Sequence, residues 1–579
     1  MVYNQLAMKK WHFFLLGFIF FIAFFLRFYK LGEVPFGFYQ DESAIGYNAY
    51  SIIQTGKDEY GKSFPLYFKS FGDWKLPVYI YSSIIPIKIF GLNEFAVRFP
   101  SALFGALSVI VFYFFASTII ESYESTQIRK RINANNLAIT ATFLFAINPW
   151  SLHYNRATFE VSISLFLFLL GGLLLYKSFD KKKSLPFVLG TLCFIISLYS
   201  YNLTRLLAPA LYFLILFLNR GKVKAIRKNT FSFTGFISLV FLVPFIGTFF
   251  GNGGFSSASG TLIFSSAAVQ SVLLEFRSYF VNFPSVLSKL MFNNLELTLW
   301  QYLGNIASYF SVNFFFVSGS THGNHGIGNV GQFYLFEFPL VILGIIWIIR
   351  EKPKWFNLFL FWGVITILVA SLTRDVPQAT RSFFLIVPFE VLSAIGVIST
   401  INWVKSIRKA QYKWIIASVF VIFVSYNLFY YFASYYVRFP VLYAKSWRSE
   451  DKPISLYIKE NEYKYDKIIF DEKAGFVYGS LLFYLQYSPS MLQSSVVRAP
   501  DDSEGFSRVN SFGKYEFRSI DWTKDNELER TLIVTNTTPS DVPILKTFFY
   551  PKRPVVISVG QNIMQYPVED AAYVLVETK

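Results

Sequence analysis

Apolar residues fall in long blocks rather than in alternation over the first 432 positions. The blocks at approximately 11–28, 96–118, 134–150, 161–176, 186–200, 205–219, 231–250, 333–349, 355–373, 382–400 and 414–432 predict about eleven membrane-crossing helices. Several are near the short end of the length that a bilayer core requires. Polar positions between them sort by sign. With the N-terminus on the cytoplasmic side, alternate connections carry Arg129-Lys130-Arg131, Lys181-Lys182-Lys183, Lys222 with Lys224 and Arg227-Lys228, Arg350 with Lys352 and Lys354, and Lys405 with Arg408-Lys409. Each connection placed inside is basic, as the positive-inside rule requires, and one missed helix would invert every later assignment. Lys9-Lys10 followed by an apolar run imitates a signal peptide, but no small-residue cleavage site follows, so an uncleaved first span is expected.

The opposite face keeps a different set. Its short connections hold Arg156 and Glu160, Arg205, and Arg374-Asp375 with Arg381. Ionisable groups at span ends face a cavity or a partner, or they snorkel to the interface. Two longer outer segments complete that face. Residues 29–95 contain FGFYQDESAIGYNAY, SFGDWKLPVY and an apolar run near Ile84–Phe90, a pattern of interfacial helices lying along the membrane. Residues 251–332 run from the flexible GNGGFSSASG, through a helical amphipathic stretch at 267–317, to the glycine-rich STHGNHGIGNVGQ.

After position 435 the pattern shortens. DKIIF, RTLIVTN, PVVISVG and AAYVLVE read as strands; PISLYIKE, SLLFYLQY and SDVPILKTFF read as helices. The expected organisation is a transmembrane domain over 1–435 and a small extracytoplasmic α/β domain over 436–579.

Composition agrees. The chain is 54% hydrophobic and 20% aromatic with only 15% charged residues, against about 25% charged in a soluble domain. A net charge of +17 in a soluble protein would point to nucleic acid; here cytoplasmic loop lysines and arginines account for it, and no nucleic-acid partner is expected. Cys193 is the single cysteine, so there is no disulfide framework and no cysteine metal site. GNGGFSSASG lacks the Lys-Ser/Thr ending of a nucleotide loop and lies on the wrong face for cytosolic nucleotides.

The candidate chemistry begins at Asp41-Glu42. Glycosyl transfer from a phosphate-linked sugar needs a base for the acceptor proton and a cation for the departing phosphate. A carboxylate at the membrane–water boundary suits a donor whose tail is in the bilayer. The same pair also makes an ordinary acidic helix N-terminus. Asp73 with Lys75 is a second acid–base pair, able to orient the first carboxylate, hold a phosphate, or form a surface ion pair of little value. His153 before Tyr154-Asn155-Arg156 reads either as a substrate hydrogen-bonder or as a capping histidine. His322 and His325 have a spacing that permits chelation, but no acid is nearby, and no metal ligand set is assigned. Asp41 or Glu160 could bind a divalent cation bridging the donor phosphate, and nothing in the sequence requires one.

Asp41-Glu42, then DWKLP, then GLNEFAVRFPSALFGALSVIVFYFFA, NPWSLHYNRATFE and QATRSFFLIVPFEVL together resemble the GT-C membrane glycosyltransferases over roughly residues 11–432. The similar branch is the family-39 type, which includes protein O-mannosyltransferases and the aminoarabinose transferase of lipid A. The resemblance implies an inverting transfer from a polyprenyl-phosphate monosaccharide to a protein, lipid or glycan acceptor at the outer face of the cell membrane. It implies Asp41 as base; Glu42 and Glu160 as acceptor- or sugar-binding or orienting groups; and Lys75, Arg156 and Arg381 as phosphate-neutralising cations. Asp73 departs from the aminoarabinose branch's Glu-Lys-Pro-Pro, Glu160 stands where the mannosyltransferases have aspartate, and the mannosyltransferases' MIR domain is absent. Other readings are a polysaccharide ligase or polymerase using polyprenyl-diphosphate glycans, where arginines would dominate, and a lipid-linked sugar flippase, which would place polar groups along a mid-membrane path. Within the first outer loop, nothing in the sequence alone separates Asp41 from Glu42.

Overall fold

The computed structural model describes residues 10–71, 73–123, 133–181, 183–250, 262–263, 267–280, 285–475, 478–500, 507–540, 542–559 and 562–578. The basic run Arg129-Lys130-Arg131, Lys182, GNGGFSSASG and the Asp73 side chain lie outside the described residues.

All eleven apolar blocks are helices: Lys10–Phe28, Glu94–Tyr123, Ala134–Ile147, Val161–Lys181, Ser184–Ser197, Thr204–Leu218, Lys228–Phe250, Glu337–Glu351, Phe356–Ala370, Ile386–Ser406 and Ala410–Ala433. Among the described residues six helical segments are long and apolar enough to cross a membrane, and the protein is a polytopic helical membrane protein. The block at 134–150 is interrupted. Asn148 ends one helix and caps the next, Pro149–Tyr154, accepting from the Ser151 N–H at 2.9 Å, with Pro149 at the position where a missing N–H costs nothing.

The chain divides into two compact units. The first comprises Met1–Arg27, Ser101–Asn155 and Phe159–Tyr431. Its helices pack closely where glycine permits. A Cβ on Gly344 would lie 2.3 Å from the Leu392 carbonyl, and one on Gly396 would lie 2.1 Å from the Leu340 carbonyl, so Glu337–Glu351 and Ile386–Ser406 meet backbone to backbone. Val161–Phe179 is mostly buried, whereas Lys228–Gly247 and Ala410–Leu442 are largely exposed and present apolar side chains outward, as a lipid environment requires.

The second unit comprises Phe28–Pro100, Arg156–Thr158 and Phe432–Lys579. Its seven-stranded sheet runs in the order Val497–Arg498, Val509–Phe512, Tyr515–Arg518, Lys467–Asp471, Thr531–Thr535, Ala571–Glu577, Lys546–Phe549. Lys467–Asp471 is parallel to both neighbours, and the other pairings are antiparallel. Residues 28–100 supply the helices Gln40–Thr55 and Pro77–Phe90 and a two-stranded hairpin, Phe68–Ser70 with Asp73–Lys75. Tyr47 of the first helix belongs to the same apolar core as Ile468, Phe470, Leu482, Leu532 and Leu575.

One element differs from its pattern. SDVPILKTFF is not a helix: Lys546–Phe549 is an edge strand paired antiparallel to Ala571–Glu577. Pro543 lacks an N–H and disfavours helix at the residue before it, while Ala571–Glu577 offers a free ladder edge to the β-prone Thr547-Phe548-Phe549.

Candidate functional site

The two adjacent carboxylates occupy opposite environments. Gln40–Thr55 begins at Tyr39, so Asp41 and Glu42 both lie in its first turn, where the helix dipole favours negative charge. Successive helix positions are about 100° apart, which sends the two side chains in different directions. Glu42 turns inward and is 2% exposed. Its Oε1 accepts from Arg98 Nε at 2.9 Å, from the Thr158 N–H at 3.1 Å and from the Thr158 hydroxyl at 2.9 Å. Its Oε2 accepts from Arg98 Nη2 at 2.8 Å and from the Tyr39 N–H at 3.2 Å.

Arg98 is equally committed. Besides Glu42 it donates to the carbonyls of Leu31 (3.2 Å), Pro35 (3.0 Å) and Gly37 (2.6 Å), and Phe38 lies under its guanidinium. The bidentate pair therefore fastens the loop entering the helix. Removing one member of a buried pair leaves the other uncompensated, at a cost of roughly 3–5 kcal/mol.

Asp41 turns outward. Its side chain is 40% exposed and accepts from Lys75 Nζ at 2.7 Å, while Lys75 is itself only 6% exposed. Lys75 comes from the second strand of the hairpin, in register with Phe68. Trp74 beside it stacks on Tyr67 at 5.0 Å and 9°, and the Lys62 and Lys69 ammonium groups lie 5.5 and 6.0 Å from the Trp74 ring centre.

Arg156 is in the second unit with these residues and is almost wholly enclosed. Its Nη2 donates to the carbonyls of Lys30 (3.3 Å) and Val34 (3.0 Å), and its guanidinium lies 5.5 Å from the ring centres of both Tyr435 and Tyr436. Two residues on, Thr158 makes the bonds to Glu42, so the NRATFE motif and the Asp41-Glu42 motif are physically joined.

The first unit holds the other predicted residues. His153 stands on Pro149–Tyr154, with Nε2 2.9 Å from the Asn324 carbonyl. It lines a small cleft with Trp150, His325 and Gln332. Tyr154 is stacked between Phe159 (4.2 Å) and Phe383 (5.0 Å), and its hydroxyl meets Thr380 Oγ1 at 2.9 Å, which in turn meets His325 Nδ1 at 3.0 Å. Arg381 follows Gln378, whose side chain caps the Arg381 N–H at 2.9 Å, and its guanidinium donates to the Arg374 carbonyl. Arg381 and Glu160 both lie within electrostatic reach of Tyr201, and Arg381 also of Tyr309. Among the described residues no three His, Cys, Asp or Glu side chains converge to hold a metal ion, and His322 and His325 have ring centres 6.0 Å apart.

Sequence reasoning missed Arg98 and Thr158, the partners that distinguish the two carboxylates. Arg98 had one local signal, a lone cation near the start of a long apolar helix. It also missed Glu337 and Glu390, which are fully buried within helices of the first unit: Asn148 donates to Glu390 at 2.8 Å and Ser393 to Glu337 at 2.9 Å.

No family model and no curated protein matches the chain. Solved structures do. ArnT from Cupriavidus metallidurans is similar at a TM-score of 0.48 and 12% identity, covering 99% of this chain and 98% of its own in the apo state. The same protein bound to undecaprenyl phosphate gives 0.48 at 11% identity. The Archaeoglobus fulgidus oligosaccharyltransferase tethered to an acceptor peptide gives 0.48 at 12% identity over 83% of this chain. This chain spans 63% of the length of that oligosaccharyltransferase.

Proposed function

We propose that the protein is an inverting glycosyltransferase of the GT-C type that takes a monosaccharide from a polyprenyl-phosphate donor at the outer face of the membrane. The observation that carries this reading is the division of labour at residues 41 and 42. Glu42 has its lone pairs occupied by Arg98, Thr158 and Tyr39, whereas Asp41 is open and bonded to Lys75.

Asp41 is the general base. It takes the proton from the acceptor as the acceptor oxygen or nitrogen attacks the anomeric carbon; the bond from that carbon to the phosphate oxygen breaks, and the lipid phosphate leaves with the electron pair. Lys75 aims the carboxylate, and Glu42, through Arg98, fixes the helix start that carries it. Arg381 is the cation for the departing phosphate, since a guanidinium can bind phosphate bidentately. The enclosure of Arg156 by two carbonyls and two tyrosine rings supports a positioning role for it beside the phosphate-neutralising one. Glu160 and His153 are the candidate sugar-orienting groups. The acceptor is a hydroxyl or amine of a protein, lipid or glycan.

The test is transfer in reconstituted membranes from a panel of polyprenyl-phosphate sugars, with the product anomer read by NMR. Inversion and stoichiometric release of the polyprenyl phosphate are expected. Retention of configuration, or movement of intact donor between leaflets without release, would overturn the assignment. Arg381→Ala should raise the KM for the lipid donor most; an unchanged KM would remove its phosphate role.

A further inference from the structure

The hairpin that carries Lys75 has a second face. Phe68 and Lys75 are partners in register and both are buried, so they form its inner side. Lys69 and Trp74 are the neighbouring partners and, by strand alternation, point the other way. On that outer side cations and aromatic rings interleave. Trp74 is backed by Tyr67, stacked at 5.0 Å. The Lys62 ammonium lies 5.5 Å from the Trp74 ring centre, and that of Lys69 lies 6.0 Å from it. Lys69 is also 5.8 Å from the Tyr60 ring centre, and the Arg498 guanidinium is 3.9 Å from the same ring. The Tyr60 hydroxyl, 2.8 Å from Ser507 Oγ, fixes that ring in place. All of these residues belong to the second unit.

The acids of the same loop are turned inward. Asp58 and Glu59 are both buried. Asp58 Oδ1 accepts from the backbone N–H groups of Tyr60 (2.9 Å) and Lys62 (2.8 Å), and Glu59 Oε1 accepts from the Tyr478 hydroxyl. Burial raises both carboxyls, that of Glu59 to about 7, although Lys62 and Arg498 oppose the shifts. Lys62, Lys69 and Arg498 therefore outnumber the negative charge beneath them. A concentration of one sign on a surface favours a partner of the other sign. A bilayer surface attracts such cations by charge alone. A fixed alternation of cations and flat rings fits a carbohydrate better: the rings take the C–H faces of sugar residues, and the cations take carboxylate or phosphate substituents.

We propose that the outer face formed by Lys62, Lys69, Trp74, Tyr60 and Arg498 docks an anionic glycan, and that such a glycan is the acceptor. The docking stands on this face alone, whereas the word acceptor rests on the glycosyltransferase reading above. The two sides of the hairpin then divide the work. The inner side holds Lys75 against Asp41 at 2.7 Å, and the outer side, one strand away, holds the chain whose end is to be extended.

The test is binding of labelled oligogalacturonate by the full-length protein in detergent, with no donor present, beside its methyl ester, which keeps the sugar backbone and loses the charge. Saturable binding of the acid form alone is expected. Lys62→Glu, at an exposed position, should weaken it at least about tenfold. Trp74→Leu, which keeps every cation and removes the ring, should weaken it a few fold, an effect that charge alone would not give. Asp41→Asn should leave binding unchanged. Because no transfer is measured, a protein that transfers sugar yet fails to bind the acid form overturns this proposal alone. One that binds it yet transfers nothing overturns the glycosyltransferase reading and leaves the docking face standing. Equal binding of acid and ester, or binding unaltered in Lys62→Glu, would overturn the proposal. So would Lys62-dependent binding to phosphatidylglycerol vesicles that oligogalacturonate does not displace, since the face would then serve the bilayer.

Discussion

At the scale of single residues, two adjacent acids differ because of partners far away in sequence. Arg98 is 56 positions from Glu42 and Thr158 is 116. No local pattern could reveal which carboxylate they would take, and the first outer loop alone left Asp41 and Glu42 equivalent. The structure makes their substitutions separable. Glu42→Gln should cost stability by roughly 3–5 kcal/mol, because Arg98 loses its counter-charge, and should show as a lowered unfolding midpoint in detergent. Asp41→Asn should lower that midpoint by less than Glu42→Gln does, since the Asp41 side chain is 40% exposed and asparagine keeps an acceptor for the enclosed Lys75 ammonium.

A third acid gives a pH signature. Glu59, buried with Tyr478 donating to its Oε1 at 3.1 Å, is raised by burial from 4.5 to about 7, with Arg498 opposing the shift. Between those values the folded protein holds a proton that the unfolded chain has released. This contribution to stability is therefore complete below pH 4.5, declines as pH rises toward 7, and levels off above it. Thermal unfolding of Glu59→Gln across pH 4.5–8 should be flatter than wild type, by an amount on the order of 3 kcal/mol across the window.

At the scale of elements, the apolar blocks were legible because each is a continuous run with no competing period, and all eleven became helices. The outer loop was legible only in part. Its helices at Gln40–Thr55 and Pro77–Phe90 have recognisable patterns, but the hairpin that brings Lys75 to Asp41 has strands of only three residues. Such strands fall below any usable periodicity. The SDVPILKTFF segment failed for the opposite reason: its apolar spacing fits a helix, and an available sheet edge overrode it. The contact between Glu337–Glu351 and Ile386–Ser406 has a sharp requirement of its own. Gly396→Leu must separate two backbones now in contact, and should lower the unfolding midpoint well beyond Ala→Leu at an exposed site of the same helix length.

At the scale of the whole molecule, the charge pattern of the loops and the apolar helices give an integral membrane protein, and the sidedness read from loop lysines and arginines is open to direct measurement. Cys193 is buried, so introduced cysteines can be labelled over a quiet background. Lys409→Cys, in an exposed connection, should react with a membrane-impermeant maleimide only after the cells are opened, and the exposed Lys464→Cys should react in intact cells. The reverse result would place the Asp41 face toward the cytoplasm and remove the argument for a lipid-linked donor. What the loop charges could not reveal is that residues 28–100 build one compact unit with the C-terminal sheet, because that association depends on core residues such as Tyr47 meeting strands more than 400 positions later.

The central claim is that Asp41 takes the acceptor proton while Glu42 only holds the helix in place. The most direct test is single-turnover transfer by purified Asp41→Asn with a saturating polyprenyl-phosphate sugar, beside a donor-binding measurement on the same protein. The account predicts donor binding within a few fold of wild type and transfer reduced by at least about 10²-fold, the range over which a general base contributes. Transfer near the wild-type rate in Asp41→Asn would contradict it.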